Sequence, residues 1–213
     1  MSEEIVLLES LERDALTELV NIGVSKAAVS LRKLVGEQVV LSVPSLELIT
    51  RKAAAKLIRE RESERLVAIC QDFAGAFSGR ALLIFPEESS FALVKAIAGS
   101  ELVDEELESM EDEALAETGN VVLNGCLASM ANMLQHRLTL SLPQVIRGDG
   151  QILFAHDESQ PNEGVVLFLY INFAVNDRDV RGYIAMLMDL PSLSALRTLV
   201  NDFIARVVGS SET

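Results

Sequence analysis

The chain has 213 residues, 49% of them hydrophobic, with no tryptophan and 32 acidic against 18 basic side chains, for a formal charge of −14. That length and apolar fraction suffice for one well-packed domain or two intimately joined halves, and the acidic balance, with no dense run of Lys and Arg, excludes a nucleic-acid backbone as an expected partner. Apolar runs such as GVVLFLYINFAV (164–175) stop short of the roughly 18 to 20 residues that span a bilayer, and the start MSEEIVLLES is acidic where a signal peptide would be basic, so no membrane insertion and a cytoplasmic location are expected.

In chain order, hydrophobic periodicity predicts a long helix over about residues 8–35 containing DALTELVN, then a strand over 38–43 ended by Pro44. A helical stretch, ITRKAAAKLIRERE (49–62), is followed by two strands, RLVAICQDF (65–73) and RALLIFP (80–86), and a helix over 87–98. The acidic segment ELVDEELESMEDE (101–113), expected to be solvated and favourable near a helix start, leads into a second long helix over about 107–135 containing EALAETGN. A strand over 137–142, ended by Pro143, precedes VIRGDGQILFA (145–155), which has no helix recognisably matching 49–62. The polar segment HDESQPNEG (156–164) leads to strands GVVLFLYINFAV (164–175) and YIAMLMDL (183–190) and a closing helix over 191–208. Cys70 and Cys126 form no metal or disulfide pattern and read as small hydrophobes. His136 and His156 stand apart from any Cys or His at ligand spacing, and no bound metal is expected.

The chain repeats itself. Asp14, Glu18 and Asn21 are followed after 22 residues by Pro44, and Glu113, Glu117 and Asn120 after 22 residues by Pro143, an offset of 99. Further on, SGRALLIFPEESSFALVKAIAG (78–99) answers RGYIAMLMDLPSLSALRTLVND (181–202), with Gly79 and Gly182 now 103 apart, and about four extra residues in the loop 156–164 would account for the change. The halves, about 8–100 and 107–208, lack a low-complexity linker, so the chain 1–213 reads as a single domain. Short connections between consecutive strands imply antiparallel pairing, and the fold class expected is α+β: a tandem pseudo-twofold duplication with long motif-bearing helices packed on a largely antiparallel sheet.

On a helix, positions i, i+4, i+7 and i+11 fall within a strip about 60° wide. Asp14, Glu18, Asn21 and Ser25 therefore share one stripe, as do Glu113, Glu117, Asn120 and Asn124, while Leu16, Leu19, Val20, Leu123 and Met130 lie elsewhere. Each helix reads as mostly buried with one polar window. Asn is a mediocre helix former, yet its amide both donates and accepts and can hold a water in line with a phosphorus atom without adding negative charge. Glu would pair with a cation beside that phosphorus.

The strings DALTELVN…P and EALAETGN…P resemble the signature of the CheC family of chemotaxis phosphatases, an acidic or Ser residue, three residues, Glu, two, Asn, 22, Pro, over essentially the whole chain. The resemblance implies hydrolysis of the aspartyl phosphate on a CheY-like response regulator at two sites, Glu18 with Asn21 and Glu117 with Asn120. Asn would orient the attacking water and Glu would engage a Lys of the regulator, with Asp14, Glu113, Pro44 and Pro143 supporting. Glu113 departs from the family's usual Asp or Ser. Any magnesium would belong to the regulator. The CheX and FliY relatives share the motif, but the two-copy length without appended domains favours CheC. A non-catalytic adaptor that binds CheD or a flagellar-switch component is the second reading.

Overall fold

The computed structural model describes residues 8–36, 38–62, 65–98, 104–154, 164–175 and 178–210. Six helices and seven strands are described: α1 (Ser10–Val35), β1 (Val39–Thr50), α2 (Arg51–Arg61), β2 (Leu66–Gly75), β3 (Gly79–Pro86), α3 (Glu87–Ala98), α4 (Asp104–Met133), β4 (Leu138–Leu140), β5 (Gln144–Gly148), α5 (Gly150–Leu153), β6 (Val165–Val175), β7 (Arg178–Met188) and α6 (Leu190–Ser210). The 156–164 segment blamed for the change of offset lies, apart from Gly164, outside the described residues.

All strands join one antiparallel sheet of order β1-β6-β7-β3-β2-β4, with β5 also on β2. If β4 and β5 count as one interrupted strand, this order reads the same from either end once each first-half strand is exchanged for its second-half equivalent. The central pairing has the same property. Leu82 lies opposite Ala185, 103 residues further on, and the flanking pairs Arg80 with Leu187 and Ile84 with Tyr183 exchange under that offset. A pseudo-twofold axis therefore passes between β3 and β7, and the first strand of each half pairs with the second strand of the other.

Strand side chains alternate between two buried layers. Ala81, Leu83, Phe85, Ile184, Met186 and Met188 face the core formed with α1, α3, α4 and α6, whereas Leu82, Ile84, Tyr183, Ala185 and Leu187 face a smaller core closed by Ala54 and Ile58 of α2 and Leu153 of α5. Coverage on both faces explains why β3, β6 and β7 are written as continuous apolar runs rather than alternating ones. Cys70 and Cys126 are buried thiols, one in each core, and burial pushes Cys126 up to about 12.

Three expectations change. Pro44 does not end its strand: β1 continues to Thr50, with its ladder to β6 shifted between Ser42 and Ser45, because a Pro without an N–H is accommodated at a bulge. The second half does have a counterpart to α2, the single turn α5, started by Asp149 accepting from the Ile152 N–H at 2.9 Å. It is too short to carry a periodic signal. The acidic segment is not simply solvated: α4 begins at Asp104, and Glu111 and Asp112 hold Arg147 of β5 at 3.1 and 2.6 Å.

The two long helices cross closely through small residues. A Cβ on Gly23 would lie 2.8 Å from the Cys126 Cα, and one on Gly125 2.8 Å from the Ala27 Cβ. The start of α1 is fastened to α6 through Glu12, 2% exposed, whose carboxylate accepts from Arg197 Nη2 at 3.0 Å, Asn201 Nδ2 at 3.0 Å and the Glu9 N–H at 2.9 Å. Burial by itself would raise the Glu12 pKa, but the Arg197, Glu9 and Asn201 hydrogen bonds outweigh it and hold the carboxyl below its ordinary 4.5.

Two stability outcomes are expected. Gly23→Ala should lower urea stability by about 1–2 kcal/mol although Ala is the better helix former, since the overpacking cost exceeds the propensity gain. Because the folded pKa of Glu12 is depressed, its contribution is present above its unfolded value and lost as pH falls through the folded one. Glu12→Gln should therefore cost about 2–3 kcal/mol at neutral pH, with the gap to wild type closing in urea melts as pH falls below the ordinary 4.5.

Candidate functional site

The stripe Asp14, Glu18, Asn21, Ser25 runs along the outer side of α1 between flanks that are fully buried at Leu16, Leu19, Val20 and Val24. Asp14, Glu18 and Ser25 are exposed and Asn21 is half-buried; on α4, Glu113 and Glu117 are exposed and Asn120 and Asn124 half-buried. The four carboxylates make no ion pair or hydrogen bond among the described residues, so both stripes offer uncommitted negative charge beside a carboxamide. Around the first, Glu18, Asn21, Ile22, Ser25, Lys26 and Val29 line a shallow depression. Among the described residues no cluster of three metal-ligating side chains occurs.

The two Asn residues, equivalent in sequence, are held differently. Asn21 is used twice by the neighbouring strand: its Oδ1 accepts the Val43 N–H at 2.8 Å and its Nδ2 donates to the Val43 carbonyl at 3.1 Å. These are the backbone groups that the β1 bulge withdraws from β6, and Pro44 next to them contributes no donor. The 22-residue spacing is thereby given a physical content, since it brings the bulged residue beside the Asn.

In the second half the strand breaks altogether between β4 and β5, and Leu142, equivalent to Val43, is 85% exposed. Asn120 turns to side chains instead. Its Oδ1 accepts from Asn124 Nδ2 at 2.6 Å and from Gln71 Nε2 at 3.4 Å, and the same Gln71 Nε2 donates to the Ser141 carbonyl at 2.9 Å. Ser141 is tied to β2 from both sides, its N–H donating to the Asp72 carbonyl and its Oγ accepting the Asp72 N–H. No acceptor takes the Asn120 Nδ2 among the described residues. Gly119 lets α4 approach β2 this closely, because a Cβ there would overlap Ile69 Cγ2; in α1 the equivalent position is Val20.

The proposed site residues thus assemble as two windows: Glu18 and Asn21 beside Pro44, and Glu117 and Asn120 near the Pro143 turn, each with its leading acid, Asp14 or Glu113, on the same helix face. Gln71 and Ser141 were not among the residues picked out by sequence. Ser141 had a signal in the parallel strings LSVP (41–44) and LSLP (140–143), whereas nothing around Gln71 marks it.

Residues 67–165 match the family described as "Chemotaxis phosphatase CheX". The chain is 22% identical over 189 residues to CheC1 of Halobacterium salinarum, covering 86% of this chain and 92% of that protein. It is 26% identical over 140 residues, or 65% of its length, to the flagellar motor switch phosphatase FliY of Bacillus subtilis, of which the match spans only 36%. The crystal structure of Thermotoga maritima FliY shares the fold at a TM-score of 0.73, with 16% identity, 93% of this chain and all of that one covered. These likenesses, a family match over 67–165 and two relatives named as phosphatases, point to the CheC/CheX/FliY group of chemotaxis phosphatases as what this chain resembles. No helix among the described residues is long and apolar enough to cross a membrane.

The different bonding of the two Asn residues has a consequence for stability. Asn21→Ala strands the N–H and C=O of buried Val43 and should cost about 2–3 kcal/mol in chemical denaturation, whereas Asn120→Ala removes only side-chain partners and should cost about 1 kcal/mol or less.

Proposed function

We propose that the protein hydrolyses the aspartyl phosphate of a phosphorylated CheY-like response regulator, with Glu18/Asn21 and Glu117/Asn120 as two sites. The observation that carries this reading is the outward-facing pair of carboxylate and carboxamide, twice, at equivalent places on the two long helices. Such a surface suits direct attack by water. The regulator would supply the acyl phosphate, a Lys and the magnesium ion, which spreads the charge of the transferring phosphoryl group. Glu18 or Glu117 would pair with that Lys and fix the docking register. The Asn would hold a water in line with phosphorus. The water oxygen forms the new bond to phosphorus, the bond from phosphorus to the aspartyl oxygen breaks with its electron pair returning to the carboxylate, and the water's proton passes to a phosphate oxygen or to solvent. The products are inorganic phosphate and the regenerated aspartate.

The test is the decay of aspartyl phosphate in a purified regulator, with magnesium, in the presence and absence of this protein. Wild type should accelerate it. Each single change, Asn21→Ala or Asn120→Ala, should leave part of the rate, unequal between the two, and the double change should abolish it, since loss of a preorganised polar group is worth about 2–4 kcal/mol per site. Complete loss from one single change in a folded protein would instead indicate one composite site.

A further inference from the structure

Gln71 lies on β2 at a place where a polar side chain needs a reason. It is 1% exposed, and its neighbours on the same face of the strand, Ile69 and Phe73, belong to the larger core. Cys70 pairs with Gln144 and Phe73 with Leu140, so Gln71 stands opposite the break between β4 and β5. In the first half, Ser42 and Ser45 pair with Asn172 and Tyr170 of β6, which puts Ile171 at the corresponding place. Ile171 is a buried apolar residue. The carboxamide is therefore peculiar to the second half.

Its bonding fixes a polarity. The oxygen and nitrogen of a carboxamide are told apart by their partners. The Ser141 carbonyl can only accept, so the Gln71 atom 2.9 Å from it is the NH2 nitrogen. That same nitrogen lies 3.4 Å from Asn120, so the Asn120 atom turned toward it is oxygen, because the reverse would set two NH2 groups against each other. The atom of Asn124 at 2.6 Å from this oxygen must then be nitrogen too. One backbone carbonyl thus orients three side chains in sequence. The Asn120 oxygen is held inward by two donors, and its NH2 group is the part left unclaimed.

Resting on the phosphatase reading above, we propose that Gln71 is a positioning residue of the second site: by donating at once to the Ser141 carbonyl and the Asn120 Oδ1, it fixes the Asn120 carboxamide with its NH2 outward. The NH2 holds the attacking water as a hydrogen-bond acceptor, leaving the second lone pair of the water oxygen for phosphorus. Gln71 touches neither water nor phosphate. Its effect falls on the fraction of bound complexes in which the water is aligned, and so on kcat rather than on binding.

The test has an arm on the wild-type protein alone. In NMR exchange spectra, the Gln71 side-chain NH2 protons should exchange slowly with solvent and those of Asn120 rapidly; slow Asn120 and fast Gln71 protons would overturn the proposed polarity. The second arm uses Asn21→Ala as parent, so that turnover reports the second site. Adding Gln71→Met, of similar volume but with no donor, should lower kcat for dephosphorylation about tenfold and leave KM for the phosphorylated regulator within about twofold. Adding Gln71→Glu instead should give a deficit that shrinks between about pH 8 and pH 5.5, as the buried carboxylate takes up a proton and regains a donor. An unchanged kcat, or a change confined to KM, would refute the positioning role. Absence of hydrolysis by wild type would refute the phosphatase reading instead, with the exchange measurement still deciding how Asn120 is held.

Discussion

The loss of strand ladder at the two prolines is the constraint on which the rest of this site depends. Where an antiparallel ladder runs unbroken, the N–H and C=O groups turned toward the neighbouring strand are committed to it and leave nothing for a helix. At Pro44 the commitment fails by one register step, and the released N–H and C=O of Val43 are taken by Asn21. At Pro143 it fails more completely, the strand splitting into β4 and β5, and the released Ser141 carbonyl is taken by Gln71. Both motif helices are thereby pinned to the sheet at the turn that carries their Asn.

Two equal motifs end in two unequal environments for a reason of size as well as charge. Gly119 admits the Ile69 side chain against the α4 backbone, so Asn120 is drawn within reach of the β2 side chains, whereas fully buried Val20 fills the corresponding place on α1. The helix crossing keeps the windows from drifting apart: with Gly23 against the Cys126 backbone and Gly125 against the Ala27 methyl, nothing larger than a methyl separates the two backbones at these points, and a displacement of one helix is felt by the other. Glu12 adds a fixed point at the start of α1, a nearly buried carboxylate held by Arg197 and Asn201 of α6. These contacts belong to the scaffold, whereas the four outward carboxylates stay uncommitted among the described residues.

Much of this could be read from the residues. The 99-residue repeat, the helical stripes and the antiparallel hairpins were legible because each follows from local periodicity or from identical spacing. The Glu and Asn pair drew attention through its duplication at identical spacing, since a single such pair is common on helix faces. Less legible was anything set by the ladder. Pro44 reads as a strand end because Pro lacks an N–H, yet β1 runs past it as an edge strand through a bulge. The α5 turn escaped notice because four residues hold barely one helical period.

What the sequence by itself determined is the outline and the inventory: two halves, long helices packed on a largely antiparallel sheet, and the same Glu and Asn motif on each long helix. What only the tertiary structure decided is how each Asn is held. The partners of Asn21 are main-chain atoms 22 residues away, and any residue type but proline at position 43 would have presented them. Asn120 has one partner a turn along its own helix, Asn124, and a second, Gln71, that is a side chain 49 residues earlier, on a strand of the other half. Its role exists because that strand crosses to pair with β4 and β5 at the point where they part. Local periodicity records which face a residue occupies. It holds no record of which strand will lie opposite, and the hydrogen bonds that orient the second carboxamide arise from that pairing.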